Sequence, residues 1–281
     1  MSESRMNPGI MIAQLARRVG LGFADVVAPH TCLVCGAWIG SEEARACKPC
    51  TESLDRLIRL PACSRCGRSA VPLTVDEKGC GRCRREGFWN LAEVVRVGPY
   101  ERPLRDVIIR LKYAGEELLA DYLGQLLADA ITVRPWSKEL DLLVPVPMHW
   151  LRRFQRPCDH ARLLADAVGR RLGVGVRRAV VRRVRYAPSQ TNARTAHERF
   201  EHVKDCFAAR APAKLKGKTV CLIDNLLVSG ATLHELSKVL RAAGARRIYA
   251  AVVGRSARGG DRQAATAAFD QYEEFLLPEA D

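Results

Sequence analysis

Eight of the eleven cysteines fall into four C-x-x-C pairs: Cys32/Cys35, Cys47/Cys50, Cys63/Cys66 and Cys80/Cys83. A C-x-x-C turn lets two thiolates face one cation, and two such turns complete the tetrahedral shell that zinc prefers. The first and third pairs are each followed by glycine, Gly36 and Gly67, and the second and fourth are not. That alternation marks an internal repeat of roughly thirty residues. It favours two ribbons in series, Cys32/Cys35/Cys47/Cys50 and Cys63/Cys66/Cys80/Cys83, and leaves an interleaved pairing open. So short a segment with so few large apolar residues needs metal to fold. Thiolate-only shells leave no open coordination position, so two structural zinc sites are expected. Cys158, Cys206 and Cys221 stand alone and read as buried or incidental thiols.

The chain has 281 residues, enough for one substantial core beside such a module. No apolar run reaches the eighteen or so residues of a membrane span. Arg17 and Arg18 interrupt the first apolar stretch, which rules out a secretory signal. Met11, Leu15, Val19 and Phe23 recur at every fourth residue, predicting an amphipathic helix that packs on the protein or, as the minority reading, on a membrane surface. Paired cysteines without an export signal point to a reducing cytoplasm. The formal charge of +14 suits an acidic partner, and its arginines concentrate between Arg152 and Arg199. That stretch is either a solvated basic face or an anion site.

Beyond the cysteines the pattern is strand and helix in alternation. "FWNLAEVVRVGPYE" is strand-like, and "RPLRDVIIRLKYAGEELLADYLGQLLADAI" has helical spacing broken at Gly115. "DLLVPVPM" suits a buried parallel strand, and "CDHARLLADAVGRRLG" a helix stopped by Gly173. "KTVCLID" is a further buried strand, followed by a helix over "GATLHELSKVLRAAGA" and a last strand at "RRIYAAVVG". The fold class is therefore α/β: a parallel twisted sheet with flanking helices, preceded by a small cysteine-rich double zinc-ribbon module. The expected divisions are a helix over 1–28, the double ribbon over 29–90, the α/β domain over 91–265 and a loose tail over 266–281.

Ligands of such sheets sit at the carboxyl ends of the strands. In "IDNLLVSGATL" the strand is expected to end near Asp224, and Ser229, Gly230, Ala231 and Thr232 lead into a helix. Glycine allows close backbone approach, and the helix N-terminus offers free amides and positive potential. Ser229 and Thr232 add hydroxyl donors.

This stretch resembles the phosphoribosyl-pyrophosphate signature of type I phosphoribosyltransferases. Together with "VVAPHTCLVCG", "LKYAG", "PVPMHWLRR" and "SQTNARTAHERFEHV", in that order, it is similar to the ComF competence protein family over nearly the whole chain. The resemblance implies that Asp224 and its neighbour Asn225 occupy the catalytic, ribose-binding position. Ser229, Gly230, Ala231 and Thr232 would hold the 5′-phosphate. Pro147, Met148 and His149 would grip pyrophosphate, with added charge from Arg152 and Arg153. Gln190, Thr191 and Arg199 would close over the site. Mg²⁺ would accompany phosphoribosyl pyrophosphate in an active site.

Three departures bear on activity. Asn225 replaces a second acid, Val228 replaces a hydroxyl, and "RPCDHA" stands where the family reads Arg-Gly-Phe-Asn-Gln. A carboxylate matters most when the ribose becomes oxocarbenium-like, so its loss costs turnover more than binding. Three functions follow: a phosphoribosyltransferase acting on a nitrogenous base, a cytoplasmic DNA-uptake factor whose partners are single-stranded DNA and uptake proteins, or a catalytically silent sensor of phosphoribosyl pyrophosphate. The DNA-uptake role with weak or absent catalysis is the favoured expectation.

Overall fold

The computed structural model describes residues 31–40, 45–70, 74–86, 90–114, 117–148, 158–185, 196–210 and 212–256. The expected N-terminal helix, the break at Gly115 and the expected tail lie outside the described residues. The chain divides into two compact units, Met1–Glu52 and Ser53–Asp281.

Within the first unit, Thr31 and Trp38 form an antiparallel bridge around the Cys32/Cys35 turn. Within the second, Ala62 and Ser69 do the same around Cys63/Cys66. Each turn closes by the same bond: Gly36 N–H donates to the Cys32 carbonyl at 2.8 Å, and Gly67 N–H to that of Cys63 at 2.7 Å. Gly36 and Gly67 have φ of 76° and 68°, a conformation side chains resist. This is why glycine follows the first and third pairs. Helix α1 (Lys48–Arg59) follows the second pair, and helix α2 (Gly81–Glu86) contains the end of the fourth.

The sheet of the second unit holds β1 (Val94–Pro99), β2 (Leu142–Pro145), β5 (Thr219–Leu227) and β6 (Arg247–Arg255). Its order is β1-β6-β5-β2, and every pairing is parallel. Burial on both faces explains the continuous apolar runs: β1 and β2 are buried throughout. Helices α3 (Leu104–Ala114), α4 (Glu117–Thr132), α5 (His160–Leu172) and α7 (Ala231–Ala242) flank it. Gly173, at φ 67°, ends α5 in the left-handed conformation its sequence position suggests.

Two features depart from the sequence reading. β5 runs three residues beyond Asp224, to Leu227, because β6 continues to pair with it as far as Leu227↔Arg255. A separate antiparallel pair, β3 (Val181–Arg183) and β4 (Phe207–Ala209), brackets helix α6 (Ala196–Val203). Strands of three residues carry too little alternation to be read from sequence.

Candidate functional site: a basic cleft at the strand ends and two thiolate clusters

β2 and β5 are hydrogen-bonded neighbours, and Val146 N–H donates to the Ile223 carbonyl at 2.9 Å. Their carboxyl ends therefore open together, beneath the N-termini of α5 and α7. A cavity of about 240 Å³ lies there. Pro147 and Met148 line it from the β2 end, and Asp224, Asn225 and Val228 from the β5 end. Gly230 and Thr232 contribute from the start of α7, His160 and Ala161 from the start of α5, Arg199 from α6.

Gly230 caps α7 at φ 86° without any side-chain cap bond. Its left-handed backbone turns the chain into the helix and brings the helix N-terminus to the cavity, where its positive potential favours anions. Ser229 is buried, and its Oγ accepts a bond from Ala231 N–H at 3.3 Å, so this hydroxyl braces the turn. Ala231 is also buried, and neither it nor Ser229 is among the lining residues. Asn225 is 3 % exposed, and its Nδ2 has no hydrogen-bond partner among the described residues.

Three lining residues were not singled out from sequence: Lys112 of α3, Arg183 of β3 and His160 of α5. Lys112 belongs to "LKYAG" and His160 to "RPCDHA", so both sat inside noticed segments. Arg183 lay in an arginine-rich stretch with nothing to distinguish it until β3–β4 pairing placed it. Its guanidinium carbon rests 5.4 Å from the Phe207 ring centroid on the paired strand. α6 is held against α7 by Phe200 and His234, whose rings meet edge to face at 5.5 Å. Glu235 adds a bond accepted from Asp205 N–H at 3.2 Å. Burial, with Lys238 nearby, holds His234 below the usual histidine range despite Glu235. His149, Arg152, Arg153, Gln190 and Thr191 lie outside the described residues.

The eight paired cysteines gather into two clusters, Cys32/Cys35/Cys47/Cys50 and Cys63/Cys66/Cys80/Cys83, each with its sulfurs within 4.8 Å of one another. This is the serial pairing. Neighbouring sulfurs lie 3.7–3.8 Å apart, the edge of a tetrahedron with zinc–sulfur bonds of about 2.3 Å. Amides point at the first thiolate of each set: Cys47 N–H to Cys32 Sγ and Cys80 N–H to Cys63 Sγ, both at 3.3 Å. Burial opposes ionisation of Cys32, yet the amides of Cys35, Cys47 and Val34 outweigh it and bring the thiol down to about 6. Cys63 is likewise lowered by bonds from Cys66 and Cys83, while the Cys63 thiolate beside it pushes Cys66 up to about 12. Both donor sets fit structural zinc. The lone thiols Cys206 and Cys221 are buried, and burial pushes Cys221 up.

Comparison with known proteins agrees with this arrangement. Residues 23–84 match the double zinc ribbon domain, and residues 158–272 match the phosphoribosyl transferase domain. Competence protein F of Haemophilus influenzae is 27% identical over 222 residues, covering 77% of this chain and 93% of that protein. The DNA utilization protein YhgH of Salmonella typhimurium is 25% identical, covering 78% and 94%. Among solved structures, the adenine phosphoribosyltransferase of Thermoanaerobacter pseudethanolicus aligns with 51% of this chain and 83% of that one at 20% identity and a TM-score of 0.33, too low a global likeness to carry weight. The chain thus carries a double zinc ribbon domain followed by a phosphoribosyl transferase domain, and over most of its length it is similar to competence protein F.

Proposed function

We propose that the cleft binds phosphoribosyl pyrophosphate, or a closely similar sugar phosphate, in a cytoplasmic protein that handles DNA during uptake. The observation that carries this reading is the charge of the cleft. Lys112, Arg183 and Arg199 surround it, two helix N-termini open into it, and Asp224 is the one carboxylate among its described lining residues. A polyanion with a single ribose to orient matches that balance. Mg²⁺ would enter chelated by the pyrophosphate, with Asp224 as the residue able to face it or the ribose hydroxyls.

Asn225 supplies no second negative charge, so the chain holds its ligand better than it turns it over. A charged hydrogen bond lost in the transition state costs about 1.5–3 kcal/mol, one or two decades of rate. The DNA-uptake role is supported by the relatives, named for competence and for DNA utilization. Exposed Arg177, Arg182 and Arg185 near β3 provide a basic surface for single-stranded DNA. The thiolate clusters suit a reducing compartment.

Calorimetric titration of phosphoribosyl pyrophosphate with Mg²⁺ into the zinc-loaded protein, beside Asp224→Ala, is the test. Binding by the native chain that vanishes in the variant is expected. No heat from either would end the proposal for the cleft. Pyrophosphate release on adding nucleobases would establish an active transferase instead of a silent site. DNA contact is read separately, from fluorescence anisotropy of a labelled single strand across a salt series. Affinity should fall steeply, by roughly 0.7 in the log–log slope per phosphate neutralised.

A further inference from the structure

We propose that Arg255 makes the second thiolate cluster part of the ligand site, by tying the Cys66 turn to the backbone that carries the phosphate loop. This rests on the reading of the cleft given above. Arg255 is 1 % exposed, at the end of β6. Its Nε donates to the Cys66 carbonyl at 3.0 Å. Its Nη1 donates to the carbonyls of Leu227 at 3.0 Å and Val228 at 2.5 Å, with Ser256 at 3.0 Å. One planar cation thus reaches a metal-ligand turn on one side and, on the other, the residues just before Ser229 and Gly230.

Two further observations join cluster and sheet within this unit. Val94 N–H of β1 donates to the Ser64 carbonyl at 2.7 Å, inside the Cys63/Cys66 turn. Cys63, Cys66, Cys80 and Cys83 pack in the same buried cluster as Val94, Leu227, Leu233 and Val252. The cluster is a component of the domain core.

Charge gives the arrangement a reason. Arg68 and Arg96 are buried as well, at 7 % and 8 % exposure. Arg68 accepts the Cys63 amide through its carbonyl at 2.8 Å, and Arg96 bonds Ser69 Oγ at 2.9 Å. Buried guanidinium groups are costly unless negative charge lies close, and those of Arg255 and Arg96 lie near Cys66. Four thiolates around one divalent zinc supply two negative charges there. Arg255 therefore has a fixed anchor on the cluster side, and the loop carbonyls of 227 and 228 are held against it. Order in the cluster becomes order in the loop, and binding at the loop must in return stabilise the cluster.

The experiment follows the second cluster directly, in the full zinc-loaded chain. A chelator and a thiol-alkylating reagent are added together, and labelling of Cys63, Cys66, Cys80 and Cys83 is timed peptide by peptide by mass spectrometry. Phosphoribosyl pyrophosphate with Mg²⁺ should slow that labelling roughly five-fold or more. Arg255→Lys, which keeps the charge but loses the fork, should bind the ligand more weakly by calorimetry and, at saturating ligand, lose the protection. Unchanged labelling in native protein that demonstrably binds the ligand would overturn the coupling, as would full protection in the variant. If the variant does not fold, the native chain with and without ligand decides the matter alone. If the native chain binds no ligand, the reading of the cleft fails. The tie is then judged by amide exchange over 227–233, faster in Arg255→Lys than in native protein while 247–253 is unchanged; equal exchange overturns it.

Discussion

The backbone amide of Asn225 donates to Oδ1 of Asp224 at 2.8 Å, while its own side-chain amide lies buried with no partner among the described residues. Asp224 is thus fixed by its neighbour's backbone, and the neighbouring side chain is held at the cavity wall with a donor to spare. An orphaned buried amide costs about 1–3 kcal/mol, which a ligand oxygen would recover.

Asn225→Asp tests what that position does. Without ligand, a second carboxylate beside Asp224 in a buried site is disfavoured, so the melting temperature should fall. With Mg²⁺ and phosphoribosyl pyrophosphate the added charge should raise affinity about ten-fold or more, and pyrophosphate release with a suitable base should increase. Differential scanning fluorimetry with and without ligand reads both effects. A lowered melting temperature with no gain in affinity would mean that residue 225 does not face the ligand.

The two thiolate clusters predict unequal costs of ligand loss. Cys66 is fully buried and packs with the sheet core, whereas Cys35 is exposed. Native protein should carry two zinc ions per chain by elemental analysis. Cys66→Ser should remove one and abolish cooperative melting of the second unit, since a broken site leaves buried cations uncompensated. Cys35→Ser should remove one and leave melting of the second unit cooperative. Loss of that cooperativity in Cys35→Ser would contradict the division of the chain into separate compact units.

Much of this was legible in sequence because it rests on local rules. C-x-x-C spacing marked the metal-binding sulfurs and favoured the serial sets that the clusters show, and Gly36 and Gly67 marked the two turns that need positive φ. Continuous apolar runs announced strands buried on both faces. What stayed hidden depends on pairing between distant segments. β5 outran its apparent end because β6 reaches Arg255, and Arg183 entered the cleft only through β3 and β4. Arg255 looked like an ordinary residue after "RRIYAAVVG". Its role needs the Cys66 carbonyl, 189 positions away in the chain.

Gly230 offers a sharper test of the turn itself. At φ 86° a Cβ clashes with the following backbone, so Gly230→Ala should cost roughly 1–2 kcal/mol of stability. The helix N-terminus that borders the cavity would also shift. Affinity for phosphoribosyl pyrophosphate should therefore drop further than the melting temperature suggests, while single-stranded DNA binding, which needs only the basic surface, holds. Equal loss of both activities would place DNA and sugar phosphate in one site.

Acid stability should depend on Asp141, which joins the starts of β2 and β5. Its Oδ1 accepts from Lys218 Nζ and its Oδ2 from Thr219 N–H, each at 2.8 Å. The Lys218 bond, then the Thr219 amide, holds this carboxyl below its ordinary value of 3.8. A depressed carboxyl binds its proton more readily when unfolded, so its contribution is fully present above the unfolded value. It is lost as pH falls from there through the folded value. The side chain is 30 % exposed and its lysine partner 47 %, so the contribution at neutral pH is below about 1 kcal/mol. Asp141→Asn should lower stability by that amount at pH 7, and the difference from the native protein should shrink at a pH below 3.8. Urea midpoints measured at both pH values decide it, and parallel curves would show that the carboxylate does not pin the two strands.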